Sequence, residues 1–411
     1  MDYQQTLAYI FSKLPMFSRI GTAAYRKDLV NTIRLSEFLG RPERSFPTVH
    51  VAGTNGKGST SHMLAAIFQS AGYRTGLYTS PHLKDFRERI KVNGQMIRED
   101  FVVDFVQRIR LLSETIDPSF FEVTVAMAFD YFAVEQVDIA IVEVGLGGRL
   151  DSTNIIVPEL SVITNIGYDH MNMLGDTLPA IAAEKAGIIK RQTPVVIGEH
   201  HHDTAPVFEQ KAGDEDAPLT YADQQRFVSD WRYHRHHLIA EVSTSPVSDD
   251  KEIYQLDLPG IYQTKNLITV LAATHLLRAK GWKLEPAAVH HGLQHVKKLT
   301  GLHGRWELVD EHPDVILDVA HNEDGIRQLV RQIEVTDHEE LHIVIGMVGD
   351  KDIQRALALL PSTAHYYFTR ADIPRALPED KLAEQARSYG LQGDTYPSVA
   401  EALKAARTHA K

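Results

Sequence analysis

The sequence predicts an α/β protein of two domains. Apolar runs of strand length alternate with stretches of helical period, the pattern of a parallel sheet flanked by helices. A glycine-rich loop, Gly53-Thr-Asn-Gly-Lys-Gly58, stands between the first such run and a helical stretch. The length, 411 residues, exceeds what one hydrophobic core usually holds. Residues 1–298 are therefore expected to form a phosphate-loop, parallel-sheet ATPase domain with a small antiparallel β insertion. Residues 302–411 are expected to form a smaller C-terminal Rossmann-like α/β domain.

Each element has its own warrant. Residues 5–39 carry Leu7, Ile10 and Phe11, then Leu29, Ile33, Leu35 and Phe38, at helical spacing. Residues 137–144, 160–165 and 193–198 are apolar runs of strand length, and helical stretches at 101–113, 123–135 and 178–189 fill the spaces between. Between 217 and 257 the texture changes: 227–230, 237–242 and 252–257 read as short antiparallel strands around a polar turn at 243–251. Helix resumes at 266–280. The aperiodic stretch 299–304, with two glycines, is the expected boundary. Strands at 315–319, 341–347 and 365–369 then carry the second domain.

The loop points to a nucleoside triphosphate. Gly53, Gly56 and Gly58 allow tight turns that aim backbone N–H groups at an anion, and the helix starting near Ser59 adds the positive end of its dipole. Lys57 offers a mobile charge to the outer phosphates; Ser59 or Thr60 offers an oxygen to Mg²⁺. The pattern departs from a strict phosphate loop: Val51 occupies the first glycine's place, and Gly58 separates Lys57 from its hydroxyl. A glycine turn between any strand and helix is the bland alternative. Strand, loop, lysine and helix in this order favour phosphate binding.

Glu143 closes the run 137–143 and precedes Gly145-Leu-Gly-Gly148. A carboxylate at the C-terminal end of a buried parallel strand faces the loop's crevice, where a metal ligand or water-orienting base belongs. Its bland alternative is to cap the next helix. His170 follows the next strand and is expected to reach the same ion from another side, with Asp169 orienting its ring. A lone histidine is more often structural, and only its position favours ligation. Ser80, in Tyr78-Thr-Ser-Pro-His82, closes the second strand. Lys185 reads as a salt-bridged helix lysine, and Arg87 and Arg89 read as solvated charges. The histidines at 200–202 and 234–237 read as exposed, because neighbours on a strand point apart and neither run has a third ligand at metal spacing.

Composition narrows the partners. The formal charge of -11 argues against a general nucleic-acid or anionic-membrane partner. There is no cysteine, so disulfides, thiolate zinc sites and a cysteine nucleophile are excluded. No apolar run reaches the ~18 residues of a membrane span, and no secretory leader is recognisable, so a cytoplasmic protein is expected.

Gly53-Thr-Asn-Gly-Lys-Gly-Ser59 resembles the loop of the folylpolyglutamate synthase and dihydrofolate synthase family, part of the ATP-dependent amide ligases that include the Mur ligases. The extra glycine points to the folate branch. Glu143-Val-Gly-Leu-Gly-Gly-Arg-Leu-Asp-Ser-Thr-Asn154 is similar to the family's second signature, Leu258–Asn266 to a third, and Gly304–Glu307 and Leu317–Asn322 to two more. Tyr262 stands where the family often has histidine. The resemblance implies ATP contacts from Asn55, Gly56, Lys57, Gly58, Ser59, Thr60 and Asn266, with Arg305 and Asp318 contributing from the second domain. It implies metal ligation by Ser59, Ser80, Glu143 and His170, carbamylation of Lys185, and a catalytic set of Lys57, Glu143, His170, Lys185 and His321. It places the stretch 81–94 near the folate and Lys351 near phosphate. The implied cofactors are ATP and Mg²⁺, with a monovalent cation such as K⁺. The implied substrates are folate or dihydropteroate and L-glutamate, acted on by a monomer through an acyl phosphate. The family's last strand, carrying Thr-Gly-Ser-Leu-Tyr, is missing before Lys411: either the sequence stops short of it or the second domain lacks an edge strand.

Three other readings compete. A Mur-type ligase would use a cell-wall precursor; the loop's extra glycine and Ser80-Pro-His82 count against it. A dihydrofolate synthase alone would add only the first glutamate. A non-catalytic ATP-dependent switch would not need His170, Arg305 and Asp318 together with the loop.

Overall fold

The structure, a computed structural model, describes all residues except 17–20, 22–27, 235, 350–352 and 411. Lys351 therefore lies outside the described residues. The chain divides into two compact units. The first runs to His303, apart from Gly21 and Tyr168–His170, which group with the second unit from Gly304 onward.

In the first unit the apolar runs build one eight-stranded sheet. Its strands are β1 (Thr48–Ala52), β2 (Thr75–Tyr78), β3 (Ile90–Val92), β4 (Gln95–Met96), β5 (Ile139–Glu143), β6 (Leu160–Ile163), β7 (Val195–Ile197) and β8 (Leu219–Tyr221). The spatial order is β4-β3-β2-β5-β1-β6-β7-β8, parallel from β2 to β8 and antiparallel at β3 and β4. β1 is thus central. The chain leaves it for β2 and β5 on one side and reaches β6 on the other, which opens a crevice at the strands' C-terminal ends.

Alternation along the strands sets the two faces. Val49, Val51, Ile139, Ile141 and Val162 pack with the helices Lys57–Ser70 and Gln263–Ala279. Ala140 and Val142 face the helices Glu99–Ile116 and Phe120–Val134. The second of these starts where Ser119 accepts from the Glu122 N–H and Glu122 returns a carboxylate to the Ser119 N–H, a reciprocal cap.

The 5–39 segment holds two described helices, Tyr3–Lys13 and Val30–Phe38. The antiparallel insertion is present as β9 (Phe227–His234), β10 (His237–Ser243) and β11 (Glu252–Leu256), with β10 in the middle. The units divide between His303 and Gly304, inside the expected stretch 299–304, just after the helix Val296–Thr300 ends on left-handed Gly301. No described helix is long and apolar enough to cross a membrane.

In the second unit β12 (Glu307–Asp310) and β13 (Val315–Leu317) form a two-stranded antiparallel ribbon. Residues 315–319 were expected in the parallel set; instead β14 (His342–Ile345), β15 (His365–Phe368) and β16 (Gly393–Thr395) make a three-stranded parallel sheet of their own. Half-exposed Ile316 and exposed Leu317 fit a ribbon better than a doubly covered strand. The last described element is the helix Val399–His409.

A titratable group sits under the loop. His50 is fully buried in β1, and its Nε2 lies 2.8 Å from Thr153 Oγ1, whose hydroxyl donates to Asp151 at 2.5 Å. The hydroxyl proton is committed to Asp151, so Nε2 carries the ring proton. Nδ1 is buried without a partner. Burial, with the charge of Lys190 adding, lowers the His50 pKa to about 3. The unfolded chain takes up this proton near pH 6.5 and the folded chain does not, so this contribution is present above 6.5 and lost as pH falls toward 3. His50→Gln keeps a donor for Thr153 without titrating. Its melting temperature is expected to fall less steeply than wild type between pH 6.5 and 4 in thermal unfolding; parallel slopes would refute the assignment.

Candidate active site

The loop follows β1 directly and opens the helix Lys57–Ser70, capped by left-handed Gly56 (φ 82°). Two glycines are sterically required here. A Cβ on Gly53 would meet Thr164 Oγ1 at 1.8 Å, and one on Gly56 would meet Asn266 Oδ1 at 2.3 Å. The first contact belongs to a brace that sequence reasoning did not single out. Beyond β6, Thr164 Oγ1 donates to the Asn55 carbonyl (2.5 Å), and Asn165 Oδ1 accepts from the Asn55 N–H (2.9 Å). The Gly167 N–H donates to Thr54 Oγ1 at 3.0 Å.

The other side of the loop is held by one helix end. Asn266 Nδ2 donates to Gln263 Oε1 (2.7 Å), and Gln263 Nε2 donates to Ser59 Oγ (3.1 Å). Asn266 thus stands against the loop, and Gln263 is a partner the sequence reading passed over. Ser59 and Thr60 are buried, and Thr60 Oγ1 has no hydrogen-bond partner. Lys57 Nζ donates to the carbonyls of Gly53 (2.9 Å) and Thr54 (3.1 Å). Lys185, buried in the helix Leu178–Ala186, sends its Nζ to the same Gly53 carbonyl at 2.9 Å. It is a helix lysine, as the sequence reading has it, and its amine faces the loop.

Glu143 ends β5 beside Val51 of β1 and is buried. Its Oε2 accepts from the Ser80 N–H at 3.1 Å, so Glu143 and Ser80 are brought together at the ends of adjacent strands. Ser59, Ser80 and Glu143 offer hard oxygen donors, the chemistry that suits a hard divalent ion. Asp151 returns to the stretch after Glu143, accepting from the Leu146 N–H (2.8 Å) and fixing the glycine turn.

The stretch after Ser80 departs from expectation. Arg89 is buried, with its guanidinium 5.1 Å from the Phe120 ring centroid and its Nε donating to His82 Nδ1 at 2.7 Å. Arginine cannot accept, so His82 Nδ1 carries the lone pair. Burial and the Arg89 charge lower the His82 pKa to about 4. Arg87 is half-buried, paired with Asp85 (2.8 Å) and Glu99 (3.0 Å). Neither arginine is a solvated charge.

In the second unit Asp169 is the hub. One oxygen accepts from the His170 N–H (2.8 Å) and lies 3.7 Å from His170 Nε2. The other accepts from Asn322 Nδ2 (3.1 Å) and lies 3.4 Å from His321 Nε2. His170 and His321 thus share a carboxylate. Asp318 accepts from the N–H groups of Trp306 and Ala320, both at 2.8 Å, and ties the turn before β12 to the end of β13. Arg305 donates to the Gly304 carbonyl at 3.1 Å.

The histidine runs are exposed as expected, apart from half-buried His237, but the first is not on a strand: His202 lies in a turn just after His201, and the two rings stand 4.5 Å apart. With Asp203 they bring three ligand atoms within 4.8 Å of one another, all on exposed residues. His234 and His237 pair across the β9–β10 hairpin.

Comparison with known proteins fits this geometry. The chain matches the Mur ligase middle domain over residues 51–274 and the Mur ligase glutamate ligase domain over residues 304–411. It is 36% identical over 386 residues to dihydrofolate synthase/folylpolyglutamate synthase of Bacillus subtilis, covering 91% of this chain and 86% of that protein. Its fold is similar to that of Escherichia coli FolC in complex with DHPP and ADP (TM-score 0.84, 32% identity, 100% of this chain and 92% of that one). It is also similar to a bifunctional folylpolyglutamate synthase/dihydrofolate synthase with Mn, AMPPNP and L-glutamate bound (TM-score 0.83, 29% identity, 100% and 93% covered). A glycine loop under a central parallel strand, a carboxylate ending the next strand and both Mur ligase domains in order make this chain a member of the folylpolyglutamate synthase/dihydrofolate synthase family.

Proposed function

We propose that this protein is an ATP-dependent ligase that joins L-glutamate to the carboxylate of a folate. The observation that carries the reading is the loop Gly53–Ser59 beside Glu143 and Ser80, at the C-terminal ends of β1, β5 and β2. The γ-phosphoryl group of ATP passes to the folate carboxylate, giving an acyl phosphate; the amine of glutamate attacks its carbonyl carbon, and phosphate leaves. Loop N–H groups and Lys57 gather and neutralise the phosphates, and preorganised donors of this kind supply most of the help such a transfer needs. Exclusion of water protects the acyl phosphate.

Mg²⁺ is the proposed ion, with Ser59, Ser80 and Glu143 as its oxygen donors and His170 added on the resemblance. Bound there, it would neutralise phosphoryl charge. The proposal extends to a monovalent cation such as K⁺, to ATP contacts from Asn266, Arg305 and Asp318, and to a monomer. It assigns His321 to the catalytic set and a carbamate to Lys185, whose burial favours the neutral amine that this modification needs. Dihydropteroate is a second proposed substrate, which would make the enzyme bifunctional.

The test is phosphate release with ATP and Mg²⁺, dependent on L-glutamate, offered dihydropteroate, tetrahydrofolate or a cell-wall nucleotide precursor. Release with either pterin is expected. Release with the cell-wall precursor alone would favour a Mur-type ligase, and release that ignores glutamate a switch.

A further inference from the structure

A cavity of about 330 Å³ lies in the first unit, between the antiparallel insertion and the helices Gln263–Ala279 and Pro286–Gln294. That volume is enough for a small organic ligand. It is a separate place from the loop: Thr274, on its wall, is eight residues beyond Asn266 on one helix, about 12 Å along the axis.

The cavity has an apolar floor, including buried Leu271 and Val289, and a charged rim. Three cations, Arg226, Lys251 and Arg278, face two carboxylates, Asp250 and Glu252. Most of these charges are already engaged. Lys251 pairs with Glu241 at 3.4 Å. Glu252 meets His290 Nε2 at 2.8 Å with one oxygen and accepts from the Tyr254 hydroxyl at 2.5 Å with the other. Asp250 is exposed to solvent. Arg278 gives its Nε to the Leu284 carbonyl, and this is the one side-chain bond it makes among the described residues. Half-buried Arg226 makes no ion pair and no side-chain hydrogen bond among the described residues. Its charge acts on Glu252 and Tyr254 across the rim, and its planar fork matches carboxylate and phosphate.

We propose that this cavity binds a small organic anion, its carboxylate or phosphate held by Arg226 and Arg278 and its carbon skeleton resting on Leu271 and Val289. Succinate and inorganic phosphate serve as probes, each titrated calorimetrically into protein saturated with ADP so that the phosphate loop is filled. At least one probe should bind with a dissociation constant near or below about 1 mM. Arg226→Gln/Arg278→Gln should weaken that binding by about tenfold to a hundredfold, the scale of losing charge-assisted bonds, while ADP affinity stays unchanged. Arg226→Gln alone, which breaks no described side-chain bond, gives the same reading should the double variant fold poorly. Binding of succinate alone identifies a carboxylate ligand, and of phosphate alone a phosphoryl one. No binding of either probe at about 20 mM, or binding equal in the variants, overturns the proposal.

Discussion

Turnover of a Lys57→Ala protein is expected to fall by about 10²–10³ fold, the scale of losing one preorganised charge from a transferring group. Lys57 opens the helix that follows the loop, and its Nζ already lies along the loop, on the carbonyls of Gly53 and Thr54. The same two bonds mean that the variant loses some loop order, so its melting temperature and ADP affinity should be measured beside turnover. A folded variant that keeps ADP affinity within a few fold yet turns over slowly has lost charge stabilisation rather than shape. Near wild-type turnover would remove the phosphate-loop reading altogether.

Glu143→Gln and His170→Asn are each expected to lower turnover by about 10²-fold or more if both serve one ion, and the double variant should be little worse than either. The structure frames the alternative sharply. Glu143 is tied to Ser80 at the end of β5, whereas His170 is tied to Asp169, which also meets His321 and Asn322. If His170 only steadies that cluster, its loss should add fully to the loss of Glu143. An Asp169→Asn protein should then match His170→Asn in melting temperature as well as in turnover. Steady-state rates of the four proteins at saturating ATP decide between a shared ion and separate roles.

The parts of this molecule that could be read from sequence are those whose information is local. Val49 and Val51 alternate into a core, three glycines follow, and Lys57 opens a helix, so fourteen or so neighbouring positions carry the loop's whole signature. Glu143 was legible because the apolar run 137–143 has only one end that can face the crevice. What stayed hidden depends on partners far along the chain. Thr164, Asn165 and Gln263 look like ordinary polar residues, and only sheet order and helix docking bring them to the loop. Arg89 reads as a surface charge until the helical turn Phe86–Arg89, just before β3, is seen to lay its side chain over Phe120 and beside His82. β13 satisfied the strand pattern but not the pairing, since three apolar residues do not say which neighbour they will find. The closeness of the His201 and His202 rings was hidden because neighbouring rings point apart only where the backbone is extended, and here it turns.

The bond from Gln263 to Ser59 joins residues 204 positions apart. At the usual pace of synthesis, about 5–20 residues per second, that gap takes roughly 10–40 s to make. A growing chain therefore carries its glycine loop, and the open space beside Gly56, well before the helix that closes it has left the ribosome. Closure of the loop in this protein waits on a helix made 204 residues after Ser59.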